Sequence, residues 1–126
     1  MRAVDTNILV RLITRDDPRQ LALAEAFVAK GAWVSTVVLT ETSWVLGSVY
    51  DLEHPEIATV IEMLLGHESL ALQDEEVVAA ALEHYRKAPA LGFTDCLVLE
   101  IARKAGHTPL GTFDKRLGRI DGAARL

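Results

Sequence analysis

A chain of 126 residues, half of them hydrophobic, is long enough to bury one core and too short for two ordinary domains, so one domain spanning 1–126 is expected. Its formal charge of -5 argues against non-specific adhesion to nucleic acid or anionic membrane through a large basic face, and leaves room for a local basic rim. The single cysteine, Cys96, excludes an internal disulfide and a cysteine-rich zinc site. With no apolar run of spanning length and no signal-peptide succession, the sequence predicts a soluble cytoplasmic protein with no membrane role.

In chain order the segments alternate between strand-like and helix-like. Ala3-Val4 reads as the end of a short buried strand, and Asp5-Thr6-Asn7 as a turn into a helix from about Ile8 to Thr14. Asp17-Pro18 caps and opens a helix to Lys30, which Gly31 ends. Ala32 to Ser35 is a second strand, followed by Thr36 as cap and a helix from about Val37 to Val49. Pro55 opens a helix through about Leu65, closed by Gly66. Leu70-Ala71-Leu72 is a third strand, and Asp74 caps a helix to about Ala88. Thr94-Asp95 opens another helix, ending at Lys104-Ala105-Gly106. Pro109 to Thr112 is the fourth strand and Ala123 to Leu126 an edge fifth. This alternation predicts an α/β fold: a three-layer α/β/α sandwich on a mainly parallel sheet of four to five strands, in the order 3-2-1-4-5.

Against this framework four acids stand out. Asp5 follows the first strand, at the sheet edge where α/β proteins bind ligands; taken alone, Asp5 or Thr6 reads first as a helix cap. Val37, Val38, Trp44 and Val45 mark one face of their helix, and Glu41 falls among them, which predicts an inward carboxylate with no cation within a turn to pair it. Val98, Leu99, Ala102 and Ala105 form a stripe that continues back to Asp95; the alternative for Asp95 is a first-turn acid favoured by the helix dipole. Asp114 closes Thr112-Phe113-Asp114 directly after the fourth strand, again a possible cap or turn residue. With the first strand between the second and fourth, Asp5 and Asp114 would flank the point where strand order reverses. Four carboxylates around one crevice call for a cation, and hard oxygen donors without a Cys or His cluster suit Mg²⁺ or Mn²⁺.

Val4-Asp5-Thr6-Asn7, Glu41, Phe93-Thr94-Asp95-Cys96-Leu97 and Leu110-Gly111-Thr112-Phe113-Asp114-Lys115 match, in type and order, the motifs of the PIN domain. The length and the Thr-Phe-Asp-Lys ending most resemble the VapC-type toxins of toxin–antitoxin pairs. The resemblance covers essentially the whole chain and carries the family's acidic set onto Asp5, Glu41, Asp95 and Asp114, and its asparagine onto Asn7. Cys96 stands where relatives often have a small residue. The resemblance implies a metal-dependent endoribonuclease acting as a toxin. Asp5, Asp95 and Asp114 would be metal ligands, Glu41 a ligand or orienter of the attacking water, and Asn7 and Thr112 second-shell donors. It further implies a homodimer and a VapB-type antitoxin, seated on faces such as Leu21-Leu23-Ala24-Phe27-Val28 and Ile57-Val60-Ile61-Leu64.

The cations are read from their positions. Arg11 and Arg15 on the first helix, and Lys115, Arg116 and Arg119 after Asp114, could rim the acidic centre and contact RNA phosphates, Lys115 and Arg116 being the better placed. Arg86-Lys87 is accounted for by the helix macrodipole, and the four histidines lack metal-ligand spacing. Trp33 and Trp44 read as core or interface packing. Two rival functions are a haloacid-dehalogenase-like phosphatase with Asp5 as nucleophile, against which Asn7 stands where a second acid is wanted, and a catalytically silent PIN-like binding module, against which the complete acidic set stands.

Overall fold

The computed structural model describes residues 1–126, and its contacts divide the chain into two compact units, Met1–Glu75 and Glu76–Leu126. The first unit contains β1 (Arg2–Ala3), α1 (Thr6–Thr14), α2 (Pro18–Val28), β2 (Ala32–Val34), α3 (Thr36–Ser48), α4 (His54–Gly66) and β3 (Leu70–Leu72). The helix α5 (Glu75–Lys87) leads into the second unit, which continues with α6 (Phe93–Ala105), β4 (Leu110–Thr112), a 3-10 turn (Leu117–Arg119) and β5 (Ala123–Arg125). The fold class is α/β with parallel sheets, as the alternation predicts.

In the first unit β2 is central, pairing in parallel with β1 (Arg2 opposite Ala32) and with β3 (Ala32 opposite Leu70). The Val4 N–H extends the ladder by donating to the Trp33 carbonyl at 3.1 Å, so the strand runs to the residue before Asp5. Leu9, Leu39, Leu46 and Ile61, one or two from each of three helices, are fully buried in its core. Each such side chain contributes about 1.5–3 kcal/mol of transfer free energy. Arg2 fastens β1 to α2, its guanidinium stacked 3.8 Å above the Phe27 ring and donating to the Phe27 carbonyl at 3.0 Å.

In the second unit β4 and β5 pair in parallel, Leu110 opposite Ala123 and Thr112 opposite Arg125. The ladders therefore supply the segments 3-2-1 and 4-5 of the expected order. A 3-10 turn makes the β4–β5 crossover, and its Gly118 has no room for a side chain, because a Cβ there would lie 2.7 Å from that of Arg125. Tyr85 of α5 meets Phe93 of α6 edge to face, with ring centroids 5.7 Å apart.

Helix starts differ from the sequence reading where adjacent residues compete to cap. The first helix begins at Thr6 rather than Ile8, with Asp5 as N-cap. For α3 the cap is Ser35, whose hydroxyl accepts from the Val38 N–H at 3.1 Å, rather than Thr36. Both residue types cap well, and the exit of β2 at Val34 selects the first available. Asp74 sits in the left-handed region, φ 51°, before α5.

Two helix faces are corrected. In α3 the buried stripe is Leu39, Thr42, Ser43 and Leu46, while Val37 and Trp44 are 76% and 66% exposed and Glu41 lies on their side. Residues two apart on a helix point to nearly opposite sides, and α3 carries apolar residues on both, so periodicity alone could not choose between them. In α6 the buried side chains are Phe93, Cys96, Leu97, Leu99 and Glu100; Val98 and Ala105 are exposed, and Asp95 stands half-buried at the border.

Candidate functional site

The two acids of the first unit are linked through the residue between β1 and α1. Asp5, exposed after the strand, accepts the Ile8 N–H on its Oδ1 at 3.2 Å. It is thus the helix cap of the simplest reading, and a carboxylate held at a helix N-terminus where the dipole favours its charge. Thr6, next in sequence and buried, donates its hydroxyl to Oε1 of Glu41. Glu41 is therefore not sunk in the core: it is an exposed side chain of α3, held by α1. The expectation of an unpaired inward carboxylate was mistaken, and the α3 faces above give the reason. Asp5 and Asn7 line a cavity of about 520 Å³ with Arg11, Gln20, Leu23 and Phe27.

Arg11 of α1 and Arg15 at its C-cap are already engaged. Arg11 donates to Gln20 Oε1 at 2.5 Å and to Asp16 and Tyr50 at 3.2 Å each. Its pKa is raised, first through the Tyr50 hydroxyl. Arg15 lies 3.7 Å from Glu25. Both are candidate phosphate contacts in the sequence, and each has a carboxylate of its own unit beside it.

In the second unit Asp95 occupies the first turn of α6, with Gly92 as N-cap. A Cβ on Gly92 would stand 3.7 Å from Asp95 Oδ2, so the turn passes close to the carboxylate. Cys96 beside it is buried, and its thiol is pushed up to about 11, mainly by burial and next by the charge of Asp95. At neutral pH the thiol is protonated, and no thiolate competes for a cation there.

Asp114 is exposed after β4, its Oδ1 accepting from the N–H groups of Arg116 at 2.7 Å and Leu117 at 2.9 Å. These bonds, that to Leu117 first, hold its carboxyl below the ordinary 3.8. Thr112 Oγ1 accepts the Asp114 N–H at 3.0 Å, fixing the turn. Asp114 lines a cavity of about 490 Å³ with Lys115, Arg116 and Arg119.

Sequence reasoning missed two residues. By sequence Thr6 reads only as a cap or turn residue; its bond to Glu41 spans two helices and has no local signature. Glu100 is 7% exposed, and its Oε2 accepts from Arg103 Nε at 2.8 Å and lies 3.6 Å from His84 Nε2. The i,i+3 spacing to Arg103 was the available signal. Arg103 also donates to the Asp121 carbonyl at 2.5 Å, beneath Gly122, whose φ of 95° and lack of a Cβ leave space for the guanidinium. Within neither unit alone do three His, Cys, Asp or Glu side chains gather closely enough to hold a metal ion.

The PIN domain family matches residues 2–123, a span that includes all four acids. No curated protein matches significantly.

Proposed function

The chain belongs to the PIN domain family, whose members are generally nucleases, and from that premise we propose that it is a metal-dependent endoribonuclease, the toxin of a toxin–antitoxin pair. The observation that carries the reading is the family match over residues 2–123, which includes Asp5, Glu41, Asp95 and Asp114. The whole chain acts in this reading as one PIN domain. The donor set fits a hard divalent cation, Mg²⁺ or Mn²⁺: the acids offer carboxylate oxygens, and the thiol beside Asp95 is buried and protonated. When bound, such an ion supplies charge neutralisation at the scissile phosphate and a lowered pKa for an attacking water.

The remaining work belongs to the chain's own residues. In this reading Asp5, Asp95 and Asp114 would hold the ion; Asp5 is oriented by its bond to the start of α1 and Asp114 by the two N–H groups of its turn. Glu41 orients the attacking water; the Thr6 hydroxyl occupies one of its oxygens and leaves the other for that task. Asn7 lines the same cavity as Asp5 and supports it, and Thr112 does so for Asp114 through the turn. Water adds to phosphorus, the bond to the leaving ribose oxygen breaks, and that oxygen takes up a proton.

Uncovered apolar side chains support the partner reading. Leu23 on α2, Val37 and Trp44 on α3 and Met63 on α4 are all exposed, and a second copy of the chain and a VapB-type antitoxin would cover them. No helix is long and apolar enough to cross a membrane.

The test is Asp5→Asn. Asparagine caps a helix as well as aspartate does, so the variant keeps its circular dichroism while Mg²⁺-dependent cleavage of RNA falls to background. Cleavage at the parent rate would overturn the assignment.

A further inference from the structure

The second unit holds a cavity of about 460 Å³ that the metal-centred reading does not use. His84 and Lys87 from the end of α5 line it, with Arg116 and Arg119 from the turn after Asp114, and Pro89 and Ile120 supply apolar wall. No acid is among its lining residues, although the chain carries 18 Asp and Glu against 13 Lys and Arg. Arg11, Arg15, Arg103 and Lys104 are each committed to a carboxylate, whereas no ion pair engages Lys87 or Arg119. Arg116 and Arg119 also line the cavity that contains Asp114, so positive charge continues from a candidate metal ligand into this second cavity.

Resting on the nuclease reading, we infer that this cleft is an RNA-backbone subsite, in which Lys87 and Arg119 contact phosphates on the strand flanking the scissile bond. A polyanion with regularly repeated charge can use cations on both walls together with an apolar wall against which a ribose or base packs; a lone anion can use only part of them. Lys87 thereby gains a role beyond neutralising a helix end.

The experiment is fluorescence anisotropy of a short labelled single-stranded RNA against salt, in EDTA so that binding is read without cleavage. Neutralising two phosphate contacts on a single strand lowers the log–log salt slope by about 1.4, at ~0.7 per contact, so Lys87→Ala with Arg119→Ala should show that loss. The two side chains are exposed, and an unchanged melting temperature checks that the fold is retained. Lys87→Arg with Arg119→Lys keeps the slope. Arg19→Ala with Lys30→Ala makes the same charge change on exposed residues of α2 and the turn after it, and leaves the slope in place. An unchanged slope in the cleft variant, or an equal loss in the control, overturns the inference. Cleavage by the parent chain with Mg²⁺ is measured separately. A cleft-dependent slope without cleavage would remove the nuclease reading and leave the cleft standing, and cleavage with an unchanged slope would do the reverse.

Discussion

Asp5 in the first unit and Asp114 in the second both follow a parallel strand, both accept backbone N–H donation, one bond at Asp5 and two at Asp114, and both have a threonine within two residues, but the two threonines act in opposite senses. Thr6 donates its hydroxyl to a distant carboxylate, Glu41, while Thr112 accepts the N–H of Asp114 itself. The first threonine brings a second acid to the neighbourhood of a strand-end aspartate, and the second stiffens the turn on which the aspartate rides. The surrounding cations differ in the same way. Arg11 and Arg15 are consumed by acids of their own unit, leaving Asp5 and Glu41 as net negative charge; Lys115, Arg116 and Arg119 remain around Asp114. A strand-end aspartate can thus serve either as the pole of an acidic pair or as the one acid in a basic rim.

The sharpest way to break this comparison is at the threonines. Thr6→Val removes the only hydroxyl donated to Glu41 and should lower metal-dependent cleavage about 10- to 100-fold, the usual cost of losing an outer-sphere partner, with Thr6→Ser recovering most of it. Thr112→Val should cost less, because Asp114 keeps both backbone donors. Equal losses in single-turnover rates would show that the two positions are not different in kind.

Stability separates the charged networks next. Glu100 is buried and depends on Arg103 and His84, so Glu100→Ala should destabilise by about 1–3 kcal/mol in urea titrations, the range for a lost buried hydrogen-bonding partner. Arg103 is partly exposed and can rehydrate, which keeps the loss below that of a fully buried pair. Arg15→Ala, which removes an exposed pair, should cost about 0–1 kcal/mol. A loss at Arg15 as large as that at Glu100 would contradict the contrast.

The smallest effect is at Asp114 and lies on the acid side. Its folded-state pKa is below 3.8, mainly through the Leu117 and Arg116 N–H groups, so its contribution is complete above the unfolded value and is lost as pH falls through the folded one. Asp114→Asn should therefore lower the melting temperature slightly at neutral pH and flatten the fall in stability below about pH 4. An acid limb identical to that of the parent chain would remove Asp114 from the groups that govern it.

Much of the fold could be read from the residues, because caps, first-turn prolines and terminal glycines are local: Asp17-Pro18 starts α2 where expected, and Gly106 ends α6 with φ 84°. The side of a helix that turns inward is a tertiary property. In α3 apolar residues on both sides made it unreadable, and Glu41 was assigned to the wrong one. Asp5, Asp95 and Asp114 stand out in the sequence because strand ends and first turns have local signals; Glu41, in the middle of α3, has none. The partners of the acids do not stand out, since Thr6 to Glu41 joins two helices, and buried Glu100 sits between a cation near in sequence, Arg103, and a distant imidazole, His84, that sequence does not place.

The two tryptophans, Trp33 and Trp44, both belong to the first unit, and both are partly exposed. Indole emission therefore reports residues 1–75 and says nothing directly of the second unit, where Tyr85 against Phe93 is the aromatic pair. Far-UV ellipticity draws on helices of both. Superimposing the two transitions in one denaturant series turns the division of the chain into a spectroscopic observable: coincident midpoints mean a single cooperative body, and separated midpoints give each unit a stability of its own.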